Sequence, residues 1–273
     1  MSTIARKISR LRQCRDFQRY PIRAVMGRLL WKLRWTLTSR PCHLRLGGEF
    51  DILAPKSGSG GFIFTYGYSE PETARFVMNF LKPGMVFWDI GAHLGEYALL
   101  ASRSVGNAGR VEAFEPQPGI FELLAHNTGT NKLRNVTLHQ SAVADCTGVA
   151  TLTLHPDPSK SYLMSPDASQ NGFTAIAVPT ISLDDFYRST GKIPQLIKVD
   201  VEGAEPLVLK GADSLLRLPS SIAPVWAIEY APQNHEKFGN LPDTLLTTLH
   251  TYGYRIFWLT DIGELEPFAP LQH

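Results

Sequence analysis

Two stretches of this sequence carry residue types whose spacing could do chemistry: "VFWDIGAHLGEYALL" at 86–100 and "LIKVDVEGAEPLVLKGA" at 196–212. In the first, an apolar run meets Asp89 and then two glycines, Gly91 and Gly95, before a helical pattern begins. Glycine at a strand-to-helix junction lets a ligand approach the backbone and a helix pack closely. The N–H groups of the helix that follows favour a carboxylate or phosphate. In the second stretch, Lys198, Asp200 and Glu202 alternate along an apolar run that ends at Gly203, and Glu205 opens a helix. If the strand continues, the three side chains share a face. One of the acids could then deprotonate an acceptor hydroxyl. Alternatively, Asp200 and Glu202, joined by Glu229 from "AIEY", could hold a divalent cation that lowers the hydroxyl's pKa. Glu205 fits better as a partner for helix N–H groups.

The spacing from the glycine turn to the next acid extends the argument. "AFEP" places Glu115 at the end of the following strand, twenty residues beyond Gly95. A carboxylate there can accept from two ribose hydroxyls at once. "SAVAD" ends the third strand, so Ala142, Val143 and Asp145 could line an adenine slot, the small residues leaving space and the acid accepting from an exocyclic amine. The turn reads D-x-G-x-x-x-G and lacks the middle glycine that seats a pyrophosphate in G-x-G-x-x-G. It suits a nucleoside ligand with an amino-acid end and counts against a nicotinamide dinucleotide.

These residues need a scaffold that brings strand ends together. From 85 onward, buried strands alternate with helical patterns, which implies βαβ units and a doubly wound, mostly parallel sheet with ligands at the strand C-termini. The third strand is read as "NVTLHQSAVAD" and a later one as "PQLIKVDVEG", with "EPLVLKGADSLLRL" as the helix after it. Residues 43–70 read as short strands around "PKSGSGG". The polar segment 155–173, with Ser159, Lys160, Ser161 and Tyr162, reads as a substrate lid or a surface loop. His235 follows a strand end and is a secondary candidate for facing the acceptor.

Of 273 residues, 44% are hydrophobic and 19% charged, as in an ordinary soluble domain. No apolar run approaches the roughly 18 residues that span a bilayer, and no clean signal-peptide core opens the chain. The three cysteines are too few and too scattered for a disulfide framework, which points to a reducing interior. The net charge of +2 hides an asymmetry: residues 1–40 hold eleven Lys/Arg against Asp16 alone, leaving the remainder at −8. An acidic body argues against a nucleic-acid groove. Residues 1–42 read as a basic amphipathic helical arm, 43–84 as a lead-in, and 85–273 as the catalytic domain. In the arm, Met26, Leu29, Leu30, Leu33 and Leu37 share one face, flanked by Trp31 and Trp35, with Arg28, Lys32 and Arg34 on or near the other. Such an arm suits peripheral contact with an anionic membrane, contact with a second subunit, or packing on its own domain. An Arg-rich, acid-poor start also fits a transit peptide. The expected location is cytoplasmic, at most peripheral to the inner face of a membrane.

"FWDIGAHLGEYALLAS", "VEAFEPQPGIFELLAHN" and "LIKVDVEGAEPLVLKGA" together resemble the signature blocks of FkbM-type S-adenosylmethionine-dependent methyltransferases. The resemblance covers roughly residues 65–255. It implies a Rossmann-like methyltransferase fold with helices on both faces of the sheet, S-adenosylmethionine as cofactor, and O-methylation of a sugar, glycolipid or natural-product hydroxyl. It implies that Asp89, Gly91 and Gly95 border the methionine half of the cofactor, with His93 near its carboxylate and Glu115 and Pro116 at the ribose. It also places Glu70, in "YSEPE", near the amino-acid end. His93 stands where the family more often has Asn. Asp200 is the first candidate for the acid beside the acceptor and Glu202 the second. N-methylation, a nicotinamide oxidoreductase and a non-catalytic membrane scaffold are the alternatives.

Overall fold

The computed structural model describes residues 19–38, 40–56, 58–155, 161–163, 174–231 and 243–268. The chain divides into two compact units, Met1–Glu70 and Pro71–His273.

The first unit contains helix α1 (Pro21–Leu37), strands β1 (Cys42–Leu46) and β2 (Phe50–Ala54), and helix α2 (Gly60–Tyr66). Pro21 occupies the start of α1, where a missing N–H costs nothing. β1 and β2 form an antiparallel hairpin in which Cys42, Leu44 and Leu46 face inward while His43 and Arg45 stay exposed. α2 corrects the strand reading of this region. A Cβ at Gly60 or Gly61 would stand 3.3 Å from the Trp31 ring of α1, and one at Gly27 would strike Thr65 of α2. Close helix packing through these glycines outweighs the strand propensity of "FIF". Trp31 therefore faces its own unit and does not flank the apolar stripe of α1, and Trp35 meets it edge-on at 5.6 Å.

The second unit runs α3 (Pro71–Phe80), β3 (Val86–Ile90), α4 (Glu96–Val105), β4 (Arg110–Phe114), α5 (Pro118–Thr130), β5 (Val136–His139), β6 (Ala142–Val143), β7 (Gly148–Leu154), β8 (Tyr162–Leu163) and β9 (Thr174–Ile181). It continues through α6 (Leu183–Thr190), β10 (Leu196–Val199), α7 (Glu205–Lys210), α8 (Asp213–Leu216), β11 (Val225–Ile228), α9 (Thr244–Thr251), β12 (Phe257–Leu259) and β13 (Leu265–Pro267). The central sheet has the order β11-β10-β3-β4-β5, and every pair in it is parallel. In order along the chain this is the doubly wound 3-2-1-4-5 arrangement, which reverses direction between β3 and β10. One face, through Trp88, Ile90, Phe114, Ile197 and Val199, packs against apolar residues of α6, α7, α8 and α9. α4 packs on β3 and β4 from the other side.

Three elements differ from the sequence reading. The expected third strand ends at His139. Ala142 and Val143 instead pair with Thr180 and Ile181 of β9, in a separate sheet ordered β6-β9-β7-β8. Within 155–173, Tyr162 and Leu163 add a strand to β7 in that sheet. The helix expected after β10 is broken at Gly211, whose absent Cβ would lie 2.2 Å from the Ala144 carbonyl oxygen.

Candidate active site

The parallel strands end in step. The Glu229 N–H donates to Val199 O (2.9 Å), Asp200 N–H to Ile90 O (3.0 Å), Gly91 N–H to Phe114 O (3.0 Å) and Glu115 N–H to His139 O (3.0 Å). Each is the residue immediately after its strand, so Glu229, Asp200, Gly91 and Glu115 stand side by side along the carboxyl edge. The reversal in strand order falls between Asp200 and Gly91, and ligands of open α/β sheets bind at such a point.

The turn after β3 is shaped by three left-handed residues, Gly91 (φ 82°), His93 (φ 49°) and Gly95 (φ 88°). Glycine at 91 is required by packing within the protein: a Cβ there would lie 1.9 Å from the Asp200 carbonyl oxygen. The room expected for a ligand at this position is filled by the neighbouring turn. Gly95 lets Leu124 of α5 approach, with the leucine 2.6 Å from where a Cβ would stand. His93 is among the few residue types tolerated at positive φ, as is the Asn more usual in the family. Its backbone N–H donates to Glu115 Oε2 at 3.0 Å. α4 starts at Glu96, and this acid in its first turn itself answers part of the positive helix end.

The edge is rich in carboxylates. Asp89 is 0% exposed, and neither of its oxygens has a hydrogen-bond partner. Burial pushes its pKa up to about 6; the Lys198 charge works against this, Asp200 reinforces it, and the Ala98 N–H pulls weakly downward. Glu115 is also buried. Its Oε2 takes the His93 N–H and its Oε1 the Gln117 N–H at 2.9 Å. Burial raises its pKa to about 7 in spite of these donors. Since each carboxylate oxygen can accept twice, the two amides fix the group's orientation and leave acceptor capacity for a diol. Pro116 lies half-buried between Glu115 and Gln117.

Lys198, buried below Asp200, donates to Asp200 Oδ2 at 2.9 Å and lies 4.6 Å from the centre of the Tyr97 ring. Burial lifts the Asp200 carboxyl, but the Lys198 ammonium outweighs it, and the carboxyl ends below its ordinary value with help from Glu229 and His93. Glu229 goes the opposite way, up to about 8, through desolvation and then the charges of Asp200, Glu202 and Glu205. Its side chain is exposed, so those charges contribute more than desolvation. The two carboxyls thus titrate as a pair, Asp200 held down and Glu229 held up. The sequence suggests Glu229 only as a cation ligand, and its place directly after an apolar strand is the signal for this second role.

Glu202 does not continue the alternation of Lys198 and Asp200. β10 ends at Val199, and Glu202 lies in the following turn at φ 56°. Its charge still acts on Glu229. Glu205 is structural: its Oε1 accepts from the Val201 N–H (3.0 Å) and the Gly203 N–H (3.2 Å), closing that turn. Among the described residues no group of three or more His, Cys, Asp or Glu side chains is arranged to hold a metal ion. Asp200 is engaged by the Lys198 ammonium at 2.9 Å.

The other candidates lie beyond this row of strand ends. Asp145 Oδ2 is held by Lys210 Nζ at 2.8 Å. Ala142 and Val143 are buried in the β6–β9 pairing, so they do not extend β5 toward Asp145. Glu70 is exposed and is the last residue of the first unit. Ser159, Lys160 and His235 lie outside the described residues, while the Ser161 hydroxyl accepts from the His155 N–H.

Residues 89–256 match the methyltransferase FkbM domain, well over half of the chain and all of the edge just described. The hexuronic acid methyltransferase AglP of Haloferax volcanii is 28% identical over 150 residues, covering 54% of this chain and 58% of the relative. The 31-O-demethyl-FK506 methyltransferase FkbM of Streptomyces tacrolimicus is 29% identical over 198 residues, covering 62% of this chain and 75% of the relative. This chain therefore spans little more than half the length of the first relative. A methyltransferase FkbM structure from Methylobacillus flagellatus covers 70% of this chain and 46% of its own at 20% identity, with a TM-score of 0.41, too low to argue from.

Proposed function

The chain belongs to the FkbM methyltransferase family, and from that premise we propose that it transfers a methyl group from S-adenosylmethionine to a hydroxyl of a sugar, glycolipid or natural product. The observation that carries this reading is the file of carboxylates at the switch point. Asp89, Glu115 and Asp200 outnumber the buried ammonium of Lys198. Such a field favours a cofactor whose sulfonium and ammonium groups are positive. The orphaned oxygens of Asp89, fully below the surface, act through that field from beneath the site. Glu115, held by two amides, takes the ribose hydroxyls. The cofactor itself supplies an electrophilic methyl group, and the protein must align an acceptor oxygen with it.

Asp200 and Glu229 stand one strand away from the cofactor edge and receive the acceptor's proton. Lys198 holds Asp200 in place, and the proton capacity of the pair lies in Glu229. The acidic pair favours a hydroxyl over an amine, since an amine needs only its lone pair. Ala142, Val143 and Asp145 remain our candidates for the adenine side. The names of the two relatives refer to a hexuronic acid and to an O-linked methyl position on FK506. Those names support a sugar or natural-product acceptor here. The test is transfer of radiolabelled methyl groups to a panel of uronic acids, glycolipids and macrolide alcohols, comparing the wild type with Asp200→Asn. We expect a loss of about 10²–10⁴-fold with cofactor affinity preserved. Undiminished transfer by the variant, or transfer to amines alone, contradicts the reading.

A further inference from the structure

The strongest feature outside the site is the outer face of α1. Ile22, Met26, Leu29, Leu33 and Leu37 recur at i, i+4, i+7, i+11 and i+15, a single stripe along the helix. The stripe is open to solvent: Ile22 is 80% exposed, Leu29 57%, Leu33 55% and Leu37 78%. The face that packs is the opposite one, where Ala24 and Gly27 are buried and Trp31 donates to the Lys56 carbonyl oxygen at 3.1 Å. α1 thus anchors to its unit by small residues and tryptophan and presents its large aliphatic residues outward. An isolated exposed leucine needs no explanation, but an uninterrupted row along a whole helix does.

Charge identifies the occupant. Arg23 and Arg34 border the stripe on one side and Arg28 and Lys32 on the other, by their positions on the helix. Between Asp16 and Glu49 there are seven Lys/Arg and no acid. A second copy seated on this face would bring basic margin against basic margin, which opposes pairing. A bilayer of anionic lipids satisfies both features, taking the aliphatic row into its acyl boundary and the basic margins at its phosphates. No helix among the described residues is long and apolar enough to cross a membrane, so α1 would lie in the surface plane.

We propose that the outer face of α1 is a docking surface for an anionic lipid bilayer. The test is co-sedimentation of the full chain with vesicles of phosphatidylcholine, alone or mixed with phosphatidylglycerol, at low and high salt, with its oligomeric state followed by sedimentation velocity. We expect about tenfold or stronger partitioning to the anionic vesicles, lost at high salt. The double substitution Leu29→Glu with Leu33→Glu is expected to weaken binding roughly tenfold or more while circular dichroism stays unchanged. Should that variant fail to fold, Arg28→Glu with Lys32→Glu keeps the aliphatic row and is expected to lose the preference for anionic lipid. Absence of vesicle binding overturns the proposal, as does binding that survives both variants. So does a wild-type dimer that the leucine substitutions dissociate, since the face then belongs to a second copy.

Discussion

Replacing Asp89 with Asn tests the electrostatics of the edge through stability alone. The carboxyl is fully buried, makes no well-formed hydrogen bond and feels only a weak pull from the Ala98 N–H, and its pKa rises from 3.8 to about 6. Below about pH 4, Asp89 is protonated whether the chain is folded or not, and it imposes no penalty. Between pH 4 and 6 the unfolded chain loses this proton while the folded chain keeps it, so stability falls as pH rises. Above about pH 6 the full penalty is present. With a tenfold change in proton affinity worth 1.36 kcal/mol, the rise from 3.8 to about 6 corresponds to about 3 kcal/mol. Asn carries no charge, so the stability difference between Asp89→Asn and the wild type should move in the variant's favour by about that amount between pH 4 and 8. Urea unfolding across this range measures it; the Asp89 charge is also one cause of the raised Glu115 pKa, so its removal relieves Glu115 as well and adds to the difference in the same direction. A difference that stays flat with pH refutes the picture of an uncompensated carboxylate under the site.

Two further outcomes follow from the geometry. Gly91→Ala places a Cβ 1.9 Å from a backbone oxygen at positive φ and should cost about 3 kcal/mol or more, whereas Gly48→Ala, also at positive φ but with nothing within 4 Å, should cost only about 1–2 kcal/mol; thermal unfolding of the two compares them. The rate of methyl transfer should climb with pH up to about 8, as the Asp200–Glu229 pair gives up its proton, and Glu229→Gln should remove that limb from the pH–rate profile.

The strand ends were legible because apolar runs stop at polar residues, and a parallel sheet lines those stops up. Asp89, Glu115 and Asp200 are legible in this way. What depended on tertiary contact was not legible. Nothing local marks Gly91 as making way for the Asp200 carbonyl, or Gly60 and Gly61 as a seat for Trp31. The break after His139 was hidden because "SAVAD" is as apolar as a continuing strand, and only pairing with β9 separates the two. Period-two alternation carried Glu202 one step too far, past the last residue that pairs with a neighbour. Lys210, sixty-five residues from Asp145, claims that carboxylate through the fold alone.

The central claim is that the carboxyl edge of the sheet, with Glu115 at the end of β4, is a site for S-adenosylmethionine. Calorimetric titration of the whole chain with S-adenosylmethionine, repeated with Glu115→Ala, tests it most directly. The account predicts micromolar binding by the wild type that weakens as the pH drops below about 7, where Glu115 takes up its proton, and at least a roughly tenfold loss in the variant. Absence of binding by the wild type, or equal binding by the two proteins, contradicts it.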